Sequence, residues 1–160
     1  MATSEIILPI LSGVKDASFP PGLLWIGNVP YLTLDGTDDE IITFSFRMPD
    51  NFASGLTVKW QYSMVSATTG VVAIRTQFAA SSVGDNIVSR TAAAIEKSAD
   101  NTVPGTAGVL KEISYSPAVL DSLAGGDQIA IRIGRENGTT GTNATGDMAV
   151  WAISLTYTTT

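Results

Sequence analysis

The sequence predicts an all-β chain: an antiparallel β-sandwich, jelly-roll-like, of about eight strands with an extended N-terminal arm. Two observations carry that expectation. The first is a period of two in the apolar residues. Ile129, Ile131 and Ile133 alternate with Ala130, Arg132 and Gly134, as a half-buried strand requires. The second is the spacing of the turn signals, since clusters of Gly, Pro, Asn and Asp interrupt the apolar runs at intervals suited to a sandwich or jelly roll. No internal repeat is visible, and 160 residues suffice for one domain with a substantial core.

The elements follow in order. Residues 1–22 join an apolar run, Ile6, Ile7, Leu8, Ile10 and Leu11, to Ser12-Gly13 and then Phe19-Pro20-Pro21-Gly22. Pro-Pro-Gly forces an extended approach and a turn, so 1–22 is expected as an arm feeding a domain over 23–160. Two placements stay open for the arm. It reaches onto a neighbour, with those five apolar residues as attachment points, or it lies as a first edge strand on its own subunit. Short strands are expected at 23–26 and 31–34, parted by Gly27-Asn28 and Pro30, with a turn over 35–39. Ile42, Phe44, Phe46 and Met48 then share one face, as do Leu56, Val58, Trp60, Tyr62 and Met64, and Val72, Ile74, Thr76 and Phe78. With short turns between them, these three strands read as a meander.

Residues 90–99 hold helix formers but no good cap, and an extended strand is expected. A strand over 109–116 should follow, then one or two helical turns opened by Ser116-Pro117 and ended by Gly125-Gly126. In the last strand Ala149, Trp151, Ile153, Leu155 and Tyr157 share one face, and Met148, Val150, Ala152, Ser154 and Thr156 the other. Both faces are largely apolar, which predicts a central strand covered on both sides or packed on a partner subunit.

Composition narrows the function. Charged residues are 15% of the chain, against about 25% in an average domain. That suits either a protein hiding surface in an assembly or a sandwich with a Thr/Ser exterior. Net charge is −6 and the nine basic residues are scattered, so no nucleic-acid partner is expected. No run approaches a membrane span, and the first residues lack a basic leader region, so the expectation is a protein made and assembled inside a cell with no membrane partner.

The chain has no Cys and no His, which removes thiolate chemistry and the commonest general base and metal ligand. Asp38, Asp39 and Glu40 adjoin one another, and Asp127 and Asp147 each follow a Gly at a strand start. Two carboxylates are what glycosidic hydrolysis uses, but Gly-Asp before a strand is ordinary turn chemistry. The loop over 136–147 is rich in oxygens yet lacks the closely spaced Asp ligands of a calcium loop, and reads as a strand connection. Asn137-Gly-Thr and Asn143-Ala-Thr match the glycosylation pattern. Trp60 and Trp151 lie in phase with apolar neighbours and are expected in the core, whereas Trp25, between Gly22 and Gly27, is the candidate exposed aromatic. No nucleophile elbow, phosphate loop or dinucleotide loop occurs. The expectation is no enzyme, with no catalytic residue, metal site or cofactor.

One resemblance extends this reading. Val103-Pro104-Gly105-Thr106-Ala107-Gly108, Leu110-Lys111-Glu112, Ala124-Gly125-Gly126-Asp127, Ile133-Gly134-Arg135 and Gly146-Asp147, with Met48-Pro49 and Leu56-Thr57-Val58-Lys59-Trp60 upstream, resemble a β-rich domain of tailed-bacteriophage virion proteins. The resemblance covers about 23–157 and rests mainly on turns. It implies a non-enzymatic, jelly-roll-like head decoration (cement) protein, a homo-oligomer expected as a trimer. Its partner would be the major capsid protein, in a particle assembled in the host cytoplasm. The alternative it leaves open is a receptor- or carbohydrate-binding module of a tail or head fibre. A small glycosidase or lyase is the remaining class.

Overall fold

Alternating apolar and polar side chains let each long strand bury one face, and two stacked sheets satisfy all such strands at once. The computed structural model describes residues 2–37, 40–136 and 140–160. Its strands are β1 (Thr3–Leu8), β2 (Val14–Lys15), β3 (Gly22–Ile26), β4 (Val29–Leu34), β5 (Ile41–Arg47), β6 (Phe52–Met64), β7 (Val71–Ser81), β8 (Glu96–Lys97), β9 (Asn101–Thr102), β10 (Lys111–Tyr115), β11 (Gln128–Glu136) and β12 (Met148–Thr159). The first sheet runs β10-β6-β12-β4-β3, with β1 lying on β12 beyond the end of β4. The second runs β2-β5-β11-β7-β8, and β9 also pairs with β7. The strand pairs are antiparallel, giving a jelly-roll β-sandwich.

The expected inward face of β6 is the floor of the core, with Leu56, Val58, Trp60, Tyr62 and Met64 at most 2% exposed. Ile42 and Phe44 of β5, Ile74 and Phe78 of β7, and Ile129, Ile131 and Ile133 of β11 meet it from the other sheet. The meander, however, is not formed. β5 and β7 flank β11 in the second sheet, while β6 lies between β10 and β12 in the first. A short turn signals that the chain reverses; it does not say whether the next strand stays in the sheet or crosses the sandwich.

Residues 1–22 take the second of the two placements. β1 pairs with β12 from Thr3 opposite Thr158 to Leu8 opposite Ile153, and β2 then pairs with β5. The segment therefore belongs to both sheets. Leu8 is buried, and Ile6 and Ile10 pack against the core, while Ile7 and Leu11 face solvent.

The helical turns expected after Pro117 are replaced by bends and turns. One or two helical turns cannot nucleate unaided, and side-chain bonds to the backbone win instead. Asp121 and Ser122 both sit at φ 57°. The Asp121 carboxylate holds that conformation by accepting from Ala80 N (2.9 Å) and from Arg90 Nη2 (2.8 Å). Residues 90–99 contain no helix. Ala93 N donates to Phe78 O and Ser98 N to Ile74 O, so the segment is an extended strap along β7 that pairs formally at β8.

β12 corrects the sequence reading most sharply. Its register against β6 slips between Val150 and Ala152, leaving Trp151 as an extra residue. Met148 and Val150 face the core before the bulge, and Ile153, Leu155 and Tyr157 face it afterwards. The strand is central, as expected, but its outer face carries Ala149, Trp151, Ala152, Ser154 and Thr156. Its apparent two-faced apolarity is one bulge in an amphipathic strand.

Candidate functional site

Residues directly opposite in paired strands share a face, so the register fixes the outer surface of the first sheet row by row. One row runs Glu112, Gln61, Ala152; the next runs Ser114, Lys59, Ser154, Ile7; a third holds Thr57, Thr156 and Glu5. Hydrogen bonds fix several of these side chains. Gln61 Nε2 donates to Glu112 Oε2 (3.4 Å) and Ser154 Oγ to Glu5 Oε1 (2.6 Å). Glu5, Ile7, Lys59, Gln61, Glu112, Ala152 and Ser154 line a shallow depression of about 210 Å³.

An aromatic pair borders this depression along β12. The bulge turns Trp151 outward over Tyr31 of β4, with ring centroids 4.7 Å apart and planes tilted by 31°. Trp151 Nε1 donates to Ser63 Oγ (3.0 Å), which fixes the ring plane. Tyr31 is buried beneath it and the indole is itself partly buried, with one part of its surface left to solvent. Trp60 lies in the core as expected; Trp151, expected beside it, does not. A flat apolar surface next to a row of amide, carboxylate, ammonium and hydroxyl groups suits a ligand with an apolar face and a polar rim.

The second candidate surface is a groove of about 410 Å³ lined by Asp85, Asn86, Ser89, Arg90, Thr91 and Asp121. Its charged groups are already engaged with one another, Arg90 with Asp121 at 2.8 Å and with Asp85 at 3.6 Å, and no aromatic ring lines it. It has less to offer a ligand.

The remaining sequence candidates are placed as follows. Trp25 is 58% exposed on β3, opposite Pro30. Its neighbour Leu24 lies opposite Tyr31, so by strand alternation Trp25 points to the other face from the aromatic pair. Asp127 is buried and its oxygens accept from Ser82 Oγ (2.7 Å) and Ala124 N (2.8 Å), as the turn reading expects. Asp147 is half-buried near Arg135. Asp38, Asp39 and Asn137 lie outside the described residues; Glu40 accepts from Asp35 N (2.5 Å). In the loop before β12, Asp100 Oδ2 accepts from Thr140 N, Thr140 Oγ1 and Gly141 N. Arg135, 3% exposed, donates to the carbonyls of Ala144 (2.5 Å), Gly146 (2.6 Å) and Leu34 (3.4 Å). Burial holds its pKa below the ordinary arginine value, opposed by the charges of Asp35 and Asp147. These bonds describe a tied strand connection. Among the described residues no group of three or more His, Cys, Asp or Glu could hold a metal ion.

No protein-family model and no curated protein sequence matches the chain. Solved structures do. A family 35 carbohydrate-binding module from Clostridium thermocellum is similar with a TM-score of 0.55 at 13% identity, covering 95% of this chain and 97% of that one. The xylan-binding module CBM15 gives 0.56 at 12% identity, with 99% of each chain covered. The CBM22-1 xylan-binding domain of Xyn10C from Paenibacillus barcinonensis gives 0.52 at 9% identity, covering 100% of this chain and 99% of that one. At these identities the likeness shows the fold. The chain is a jelly-roll β-sandwich of the architecture those modules share.

Proposed function

We propose that the chain is a non-enzymatic carbohydrate-binding module whose ligand lies along the outer face of the first sheet. The observation that carries this reading is Trp151, turned outward by the bulge and seated on Tyr31 beside the Gln61–Glu112 and Lys59–Ser154 rows. A pyranose ring has a C–H face that rests on an aromatic surface, and hydroxyls that amide and carboxylate groups take up. The depression is open and small beside the roughly 300–1,000 Å³ of an enclosing ligand pocket, which suits a stretch of polymer laid on a surface. The shared architecture with xylan-binding modules supports the same reading.

Titration against a panel of soluble polysaccharides and oligosaccharides tests it, comparing the native chain with Trp151→Ala and Gln61→Ala. Each substitution should weaken binding at least about tenfold, a loss of about 1.4 kcal/mol. Binding that both variants retain in full, or no binding to any glycan, would overturn the assignment.

A second reading places the module on a virion as a decoration protein bridging capsid subunits. It is supported by the resemblance of the turns to those of tailed-phage virion proteins, the low charge, and the exposure of Ile7, Leu11 and Val14 where the chain passes between sheets. Co-sedimentation with phage heads, lost on changing Leu11 and Val14 to Asp, is the result it requires.

A further inference from the structure

The first reading uses Tyr31 on the β4 side of the β3–β4 hairpin, but the free outer edge of β3 is used by neither reading above. β3 pairs with β4 on one side only, and among the described residues nothing pairs with its other edge. Gly27, at φ 59°, closes the turn between the two strands. Both faces of β3 are open: Leu23, Leu24, Trp25 and Ile26, with Val29 across the turn, are between 37% and 59% exposed. No charged residue occurs between Asp16 and Asp35. Sheet edges that must stay single carry Lys, Pro, a bulge or an inward charge, and the five residues of β3 carry none of these.

We propose that this edge is the contact by which two copies of the chain pair, β3 against β3 across a two-fold axis. Three features commit the surface to a second copy. Antiparallel pairing centred on Leu24 sets Leu24 opposite itself, Leu23 opposite the partner's Trp25, and Gly22 opposite the partner's Ile26. The small residue thus meets the branched one, and the strand is complementary to itself. The chain carries a net charge of −6, yet the hairpin contributes none of it, so the edge is where two copies approach with least repulsion. Leu23, Leu24, Trp25, Ile26 and Val29, at roughly 200 Å² each and about half exposed, expose about 500 Å² per copy. Edge pairing covers their flanks, an interface at the small end of the range that gives concentration-dependent association. A patch of this size is at the upper end of what a typical monomer exposes, and such patches are often functional.

Light scattering after size-exclusion chromatography, on the full chain from low to high micromolar concentration, tests the pairing. The native chain should have the mass of a dimer at the upper end. Leu24→Lys and Trp25→Lys should be monomers with melting temperatures within a few degrees of the native chain, since both sites are exposed. The absence of native Cys permits a second measurement. Residues directly opposite in an antiparallel pair lie within disulfide reach, so Leu24→Cys should form a covalent dimer under mild oxidation far faster than Val83→Cys. A monomer at every concentration, a trimer, an oligomer that survives Leu24→Lys, or equal cross-linking at the two positions would each overturn the proposal.

Discussion

Consider removal of residues 1–22, which takes away β1 and β2 together. A free arm would leave the sandwich intact, whereas a paired strand takes part of the core with it. Leu8, 4% exposed, contributes about 2 kcal/mol by its burial, and half-buried Ile6 and Ile10 about 1 kcal/mol each. The sides of Ile153 and Leu155 that β1 covers add roughly another 1–2 kcal/mol when uncovered. The released ladder contributes little net, because its groups regain water. The sum, about 5–6 kcal/mol, matches the lower part of the roughly 5–15 kcal/mol that holds a domain folded. A chain beginning at Leu23 should therefore be unfolded at room temperature, or melt at least about 10–20 °C lower. Circular dichroism on heating reads this directly. Two single changes separate burial from length: Leu8→Ala should cost about 2–5 kcal/mol, and Ile7→Ala, at a solvent-facing site, about 0.5 kcal/mol or less. A truncated chain melting within a few degrees of the native one would refute the reasoning and restore the free arm.

Arg135→Met should lower stability by about 3–5 kcal/mol in urea unfolding, because the carbonyls of Leu34, Ala144 and Gly146 lose a buried donor together. Burial pushes the Tyr62 phenol up to about 12, with the charge of Arg135 opposing. An unfolded phenol titrates near 10, so the stability this group contributes is complete below pH 10 and is lost as the pH rises from 10 to 12. Tyr62→Phe should flatten that alkaline slope in melting temperature. Among the described residues its hydroxyl has no hydrogen-bond partner, so the same change should raise neutral-pH stability by about 1 kcal/mol. Asp127→Ala should cost about 1–3 kcal/mol by leaving Ala124 N and Ser82 Oγ without their acceptor, with glycan binding unchanged.

The strands were legible where a single period persists. Leu56 to Met64 on alternate positions, and Ile129 to Ile133, face the core as their spacing requires, because a period of two admits only one assignment to a buried side. Sheet membership was not legible, since turns report reversal and not partner. The apolar run of Ile6, Leu8 and Ile10 looks the same whether it covers its own β12 or a neighbour's. The turns at Asp121 and Ser122 depend on Arg90 and Ala80, distant in sequence, so Pro117 pointed instead to a local helix. The binding surface was hidden for a related reason. Glu5, Gln61, Glu112 and Ser154 come from four strands, and only the register gathers them. Trp151 sits outward through a slip in pairing that leaves no turn residue to mark it.

That slip makes the two central tryptophans a test of the register itself. By sequence Trp60 and Trp151 are alike, each flanked by alternating apolar residues. In the sandwich Trp60 is 0% exposed and faces the opposite sheet, while Trp151 lies outside on Tyr31. Trp60→Ala therefore opens a cavity among side chains that cannot collapse into it, at a cost of about 3–5 kcal/mol. Trp151→Ala gives up the partial burial of the indole, uncovers one face of Tyr31 and frees Ser63 Oγ, at about 2–3 kcal/mol. The ordering for binding is the reverse. Only Trp151→Ala should weaken a glycan, and it should do so while most of the protein remains folded. Parallel urea titrations and glycan titrations of the two variants read both orderings from one pair of proteins. Equal losses of stability would mean that β12 keeps one phase throughout, with both indoles in the core, and the aromatic platform would then not exist.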